Sequence, residues 1–104
     1  MKYSMYVDDI RTPKGTFDVI TRSSVETEEY LIRNGCPTFV SLDHDLGGED
    51  TAMRIVKFII NMDLDMGGDW MPLDFSFNVH SANVCGTKNI EGYLNSYLKQ
   101  KRNG

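Results

Sequence analysis

"FVSLDHDLGG", residues 39–48, passes from one kind of structure to another within ten residues. Phe39, Val40 and Leu42 read as a buried strand, and the strand stops at Asp43-His44-Asp45. Gly47-Gly48 follow, and beyond them Ala52, Ile55, Val56, Ile59 and Ile60 recur at helical spacing. Two carboxylates flanking an imidazole make poor core material, because a buried charge needs a partner and none is adjacent in sequence. The stretch is therefore a strand, a polar rim and a helix start, the unit from which α/β folds are built.

The flanking sequence continues the alternation. Lys2–Val7 predicts a short strand ended by Asp8-Asp9 and Pro13, and Thr16–Thr21 predicts a second. Ser23 stands three residues before Glu26, a capping-box spacing that opens a helix closing near Gly35. Pro37 resets the chain for a third strand over Thr38–Leu42. In residues 73–80, LDFSFNVH, Leu73, Phe75, Phe77 and Val79 share one face, while Asp74, Ser76, Asn78 and His80 share the other, which predicts a half-exposed edge strand. Ile90, Tyr93, Leu94, Tyr97 and Leu98 form the apolar stripe of a last helix, with Lys99, Lys101 and Arg102 at its dipole-negative end. Strands alternating with helices predict a mostly parallel sheet. The segment from Asp8 to Gly15 is short for a parallel crossover, so a reduced loop in place of a first helix competes with an antiparallel hairpin.

In an open parallel sheet, ligands bind beyond the carboxyl ends of the strands. Three polar clusters fall there: Asp8-Asp9 with Arg11, Asp43-His44-Asp45, and His80-Ser81 with Asn83. Converging carboxylates repel one another unless protonated or neutralised, and a hard divalent ion takes such oxygen ligands. Asp8, Asp9, Asp43 and Asp45 are the candidate metal ligands, with Mg²⁺ or Mn²⁺ as the ion. Each aspartate taken singly also suits a turn or a helix cap. His80 is a candidate general acid or base, since imidazole titrates near neutrality, and an isolated histidine there is otherwise a solvated residue. For His44, metal ligation, base chemistry and inward packing all stay open. Helix starts at Gly47-Gly48 and Gly86 offer N–H groups to anions, and Ser81, Asn83, Asn89, Arg11 and Lys88 add candidate phosphate contacts.

The bulk properties set limits. The 104 residues predict a single domain over 1–104. A net charge of −4 argues against an extended nucleic-acid groove but not against a site for one phosphate. No apolar run approaches a membrane span. The start lacks a long apolar signal segment, and two cysteines are too few for a disulfide framework, so a reduced cytoplasmic protein is expected.

"YVDDIRTP", "SLDHDLGG" and "HSANVCGTKNI" together resemble the cyclic-phosphate-processing receiver domains. That pattern is an acidic pair followed by Arg and Pro, a D-H-D-L-G box, and H-S-x-N-x-x-G-x-x-N. Val84 departs from it, standing where many relatives have Pro, and residues 63–72 are longer than the usual connection. The resemblance implies a reduced receiver or flavodoxin-like three-layer sandwich with a four-stranded parallel sheet in order 2-1-3-4. It also implies a divalent metal site and a role in processing cyclic phosphates, on RNA ends or in nucleotide signals. Asp8, Asp9, Asp43 and Asp45 match its acidic positions, His44 its central imidazole, and His80, Ser81 and Asn83 its third box, with Gly86 and Asn89 behind. A more distant resemblance to phosphorylated response-regulator receivers would make Asp43 a phosphoacceptor, Asp8 and Asp9 metal acids and Ser81 the hydroxyl residue; their fifth strand and its lysine have no counterpart here. The leading expectation is a metal-dependent phosphoesterase with His80, Ser81 and His44 catalytic. A non-catalytic module that captures a nucleotide or a protein, and a phosphoacceptor receiver, are its alternatives.

Overall fold

The computed structural model describes residues 2–103. The elements run β1 (Ser4–Val7), β2 (Val19–Thr21), α1 (Ser24–Asn34), β3 (Phe39–Leu42), α2 (Ala52–Asp65), β4 (Ser76–Val79) and α3 (Val84–Asn103). All three strand pairings are parallel, and the sheet order is β2-β1-β3-β4. The connection between β1 and β2 is a crossover loop, not a hairpin.

Alternation along the strands sorts the side chains. Met5, Val7, Val40 and Leu42 face the helices and join Leu31 of α1, Ile55, Val56 and Ile59 of α2, and Ile90, Leu94 and Leu98 of α3 in one apolar cluster. All three helices therefore lie on one face of the sheet, α1 against α2 and α2 against α3. This is what right-handed crossovers require, because β2 to β3 and β3 to β4 both step in the same direction across the sheet. The opposite face carries Tyr6, Ser41 and Asn78 in register across β1, β3 and β4. Its cover is the β1–β2 segment, where the Phe17 ring lies 5.2 Å from Tyr6 and 6.1 Å from Phe39. The third layer of the expected sandwich is thus reduced to this loop.

Local signals place most element ends. Ser23 caps α1, its Oγ accepting from Glu26 N at 3.1 Å, while the Glu26 carboxylate reaches back to Arg22 N. Ser24, fully buried, donates to Asp50 through both its N–H and its hydroxyl, which ties α1 to the loop after β3. Leu46 anchors that loop in the core. The strand expected over residues 73–80 is shorter: Phe75 N bonds Pro72 O in a turn, and Leu73 projects outward at 88% exposure instead of joining the inner face. No helix among the described residues is long and apolar enough to cross a membrane.

Candidate functional site

The hydrogen-bond ladder runs one residue past each strand and so fixes the rim. Asp8 N donates to Thr21 O at 3.2 Å, Asp43 N to Val7 O at 2.9 Å and His80 N to Leu42 O at 2.9 Å. Asp8, Asp43 and His80 therefore emerge side by side from β1, β3 and β4. They point to the same side as Tyr6, Ser41 and Asn78, two residues earlier in each strand.

Asp8 is fully buried and is the hub of the site. Its Oδ1 accepts from Ile10 N at 3.0 Å and Arg11 N at 2.8 Å, which folds the chain back after β1. Its Oδ2 lies 3.0 Å from Arg11 Nε, 3.1 Å from His80 Nε2 and 3.4 Å from the Tyr6 hydroxyl. Burial alone pushes the Asp8 pKa up, but the Arg11 and Ile10 N–H groups, His80 and the Arg11 charge together hold it below the ordinary carboxylate value. The Arg11 guanidinium also reaches Asp43 Oδ2 at 3.3 Å and His80 O at 3.2 Å. Arg22 braces the arrangement from behind, donating to Asp8 O at 3.0 Å and to Arg11 O at 2.6 Å.

Carboxylate oxygens of Asp8, Asp9 and Asp43 all lie within 4.8 Å of one another. Three oxygen donors with no thiol or imidazole among them form a set suited to a hard cation of the Mg²⁺ or Mn²⁺ kind. Asp45 stands apart from this triad. Its Oδ1 pairs with His44 Nδ1 at 3.0 Å and its Oδ2 accepts from Asn83 Nδ2 at 3.4 Å; these two bonds lower its pKa. Asp45 nevertheless lines the same cavity, of about 390 Å³, with Asp9, Ile10, Arg11, Asp43 and Ser81. A cavity of about 400 Å³ between α2 and α3, lined by Ile60, Tyr93 and Tyr97 among others, holds no carboxylate or imidazole.

The remaining candidates separate. His80 has both ring nitrogens engaged inside the protein, Nε2 on Asp8 and Nδ1 on Ser41 Oγ at 2.7 Å, and its ring stacks on Tyr6 at 4.4 Å. It does not line the cavity. His44 packs inward against the first turn of α3, where Gly86 leaves room for its ring. Asn83 caps α3, its Oδ1 accepting from Gly86 N at 2.8 Å, and its own N–H donates to Ser81 Oγ. Among the described residues the Ser81 hydroxyl donates to no other group, and Ser81 lines the cavity. Lys88 and Asn89 are exposed further along α3, outside the cavity wall. Cys85 is exposed there too. Tyr6, Ser41, Asn78 and Arg22 are the site residues that motif reading passed over. The period-two alternation was the available signal, since three of them precede Asp8, Asp43 and His80 by two positions.

The model of one family, the cyclic-phosphate processing receiver domain, matches residues 3–96. No curated protein and no solved structure gives a significant match.

Proposed function

The chain belongs to the cyclic-phosphate processing receiver domain family, and from that premise we propose that it is a metal-dependent phosphoesterase that opens a cyclic phosphate. One observation carries the proposal: the Asp8, Asp9 and Asp43 oxygens gather within 4.8 Å at a rim where Arg11 and Ser81 line the adjoining cavity. In this reading Asp8, Asp9 and Asp43 hold the divalent ion. A bound ion supplies charge neutralisation and an acidified water. Arg11 and the Ser81 hydroxyl orient the non-bridging phosphate oxygens. Water adds to phosphorus, one ring P–O bond breaks, and the released ring oxygen takes up a proton, leaving a phosphomonoester. His80 stands one hydrogen bond behind the reacting groups and acts on them through Asp8. The substrate is the cyclic phosphate of a nucleotide or of an RNA end, and the acidic cavity wall does not offer a track for a long polyanion.

A second reading draws on the same histidine. With both ring nitrogens engaged, the cavity lacks a free imidazole, which favours a module that captures a cyclic nucleotide without cleaving it. Incubation with 2′,3′-cyclic nucleotides, cyclic-ended RNA and cyclic dinucleotides, each with Mg²⁺ or Mn²⁺, separates the two. The phosphoesterase yields monoesters, and Asp9→Asn or Asp43→Asn abolishes turnover while Asp45→Asn lowers it less. Saturable binding with no product from any substrate would replace the enzyme with the capture module. Acetyl-phosphate labelling that depends on Asp43 would instead support a phosphoacceptor receiver.

A further inference from the structure

Beneath the rim a chain of side chains leads to Asp8 through His80, and its first two members, Asn78 and Ser41, have no part in the proposed reaction. Asn78 Oδ1 lies 2.5 Å from Ser41 Oγ, Ser41 Oγ lies 2.7 Å from His80 Nδ1, and His80 Nε2 lies 3.1 Å from Asp8 Oδ2. Ser41 and Asn78 are Cα partners across β3 and β4, and both lie on the sheet face that no helix covers. Ser41 is buried, whereas Asn78 is exposed.

The Tyr6 ring lies parallel to His80, with 7° between the planes. Stacking of this kind fixes the plane of the imidazole but is nearly indifferent to a half-turn about the Cβ–Cγ bond, which returns the ring to that plane. The half-turn matters, because it exchanges each nitrogen with a carbon. In one orientation Nε2–H meets Asp8 Oδ2. In the other a C–H faces a buried carboxylate, which loses a donor. The Ser41 hydroxyl, able both to give and to accept, pairs with Nδ1 only in the first orientation. Asn78 completes the hydroxyl's second bond, and its exposed amide can present either end. An N–H toward Ser41 turns the hydroxyl proton onto a neutral Nδ1; a C=O toward Ser41 lets the oxygen accept from Nδ1–H. The first arrangement keeps Nε2–H on Asp8 with a neutral ring, and the second keeps it with a ring protonated on both nitrogens.

We propose that Ser41 and Asn78 are positioning residues that hold the His80 ring so that Nε2–H donates to Asp8, and that they thereby aim the Asp8 carboxylate at the rim. The ring orientation is a property of the free protein. The further effect on ion binding rests on the metal-dependent reading above, and the two are measured separately.

The experiment is long-range ¹H–¹⁵N correlation of the histidine rings at fixed pH, in protein free of divalent ions and substrate. Wild type is expected to show a slowly exchanging Nε2–H of His80. Ser41→Ala is expected to lose that signal to exchange and to shift Nδ1. Asn78→Ala, at an exposed position where folding is not at risk, is expected to broaden it. Ser41→Thr, which keeps the hydroxyl, is expected to retain it. Signals unchanged in both alanine variants would overturn the proposal and leave Tyr6 stacking as sufficient. Loss in Ser41→Thr as well as Ser41→Ala would also overturn it, since side-chain shape and not the hydroxyl would then hold the ring. In a parallel titration, Ser41→Ala is expected to weaken Mn²⁺ affinity by roughly tenfold or more. Should wild type bind no Mn²⁺, the metal-dependent reading falls while the ring measurement still decides the role of Ser41 and Asn78.

Discussion

A Cβ on Gly86 would fall 2.4 Å from Cγ of His44. The first turn of α3 is thus built around an imidazole, and the glycine between Cys85 and Thr87 is required by packing and not by backbone torsion. Gly86→Ala gains helix propensity of at most about 1 kcal/mol but forces the ring to move. A net loss of about 1–2 kcal/mol is expected, within the range for overpacked cores. Urea unfolding measures it. His44→Ala removes the obstacle, so the double variant is expected to lose less than the two single losses combined. Strict additivity would show that the contact does not exist in solution.

A second interlock lies away from the rim. Fully buried Asp63 accepts from Met71 N at 2.7 Å, the Tyr97 hydroxyl at 2.6 Å and Lys101 Nζ at 2.9 Å, and Lys101 also donates to Gly68 O. It binds the long 66–72 connection to the end of α3. Lys101→Met leaves the Asp63 carboxylate buried without its cation and is expected to cost about 3–5 kcal/mol. Replacing Asp63 by Leu in the same chain is expected to recover part of that loss. A Lys101→Met protein as stable as wild type would mean that water already reaches Asp63.

Much of this was legible in the chain. Capping at Ser23, the stripe from Ile90 to Leu98 and the polar rim at Asp8, Asp43 and His80 follow from local spacing, which is the kind of information a sequence carries plainly. Leu73 reads as strand in the sequence yet lies outside it, because alternation continues through a turn that the Pro72 carbonyl closes. Inward packing is one of three readings the sequence leaves open for His44, and it could not be singled out because it depends on Gly86, 42 positions later. Arg11 was recognisable as a cation near the site. Its bridge from Asp8 to Asp43 was not, since that needs the register of two strands that are neighbours in space and not in sequence.

Acid should weaken the fold through two groups whose pKa values are held low. For Asp63, burial works against ionisation, and the Tyr97 hydroxyl, Lys101 and Met71 N–H outweigh it; Asp8 is lowered in the same sense by its own partners. A carboxyl with a folded pKa below its unfolded value of about 3.9 binds fewer protons folded than unfolded in that range. Its stabilising contribution is therefore complete above about pH 5 and disappears as pH falls through the folded value. The urea midpoint is expected to be level from pH 7 to about 5 and to drop below about 4, with a shallower drop in Asp63→Asn. Tyr97 acts with the opposite sign: burial first, then Asp63, raise its pKa from 10.0 to about 12, so stability is also expected to fall as pH rises through that interval. An acid limb of unchanged slope in Asp63→Asn would place the titration elsewhere.

Arg11 presents the sharpest test of the rim. Its Nε and Nη2 already sit 3.0 and 3.3 Å from oxygens of Asp8 and Asp43, the same groups that would hold an ion. An ion held by these carboxylates competes with the guanidinium for Asp8 Oδ2 and Asp43 Oδ2, so its binding is expected to loosen at least one guanidinium contact. Arg11 is half exposed and can swing into the cavity when displaced, which would bring its charge to a phosphate oxygen. Removing the competitor therefore has opposite effects on two measurements. Arg11→Ala is expected to bind Mn²⁺ roughly five- to tenfold more tightly, the size of a modest coupling between ligands. In the proposed phosphoesterase the same variant is expected to lose on the order of 100-fold in turnover of a cyclic nucleotide, because the donor assigned to developing phosphate charge is gone. Arg11→Lys keeps the charge without the fork and should fall between the two in both respects. If Arg11→Ala instead binds the ion more weakly, the guanidinium organises the acids and does not compete for them, and the exchange of arginine for metal at this rim is wrong.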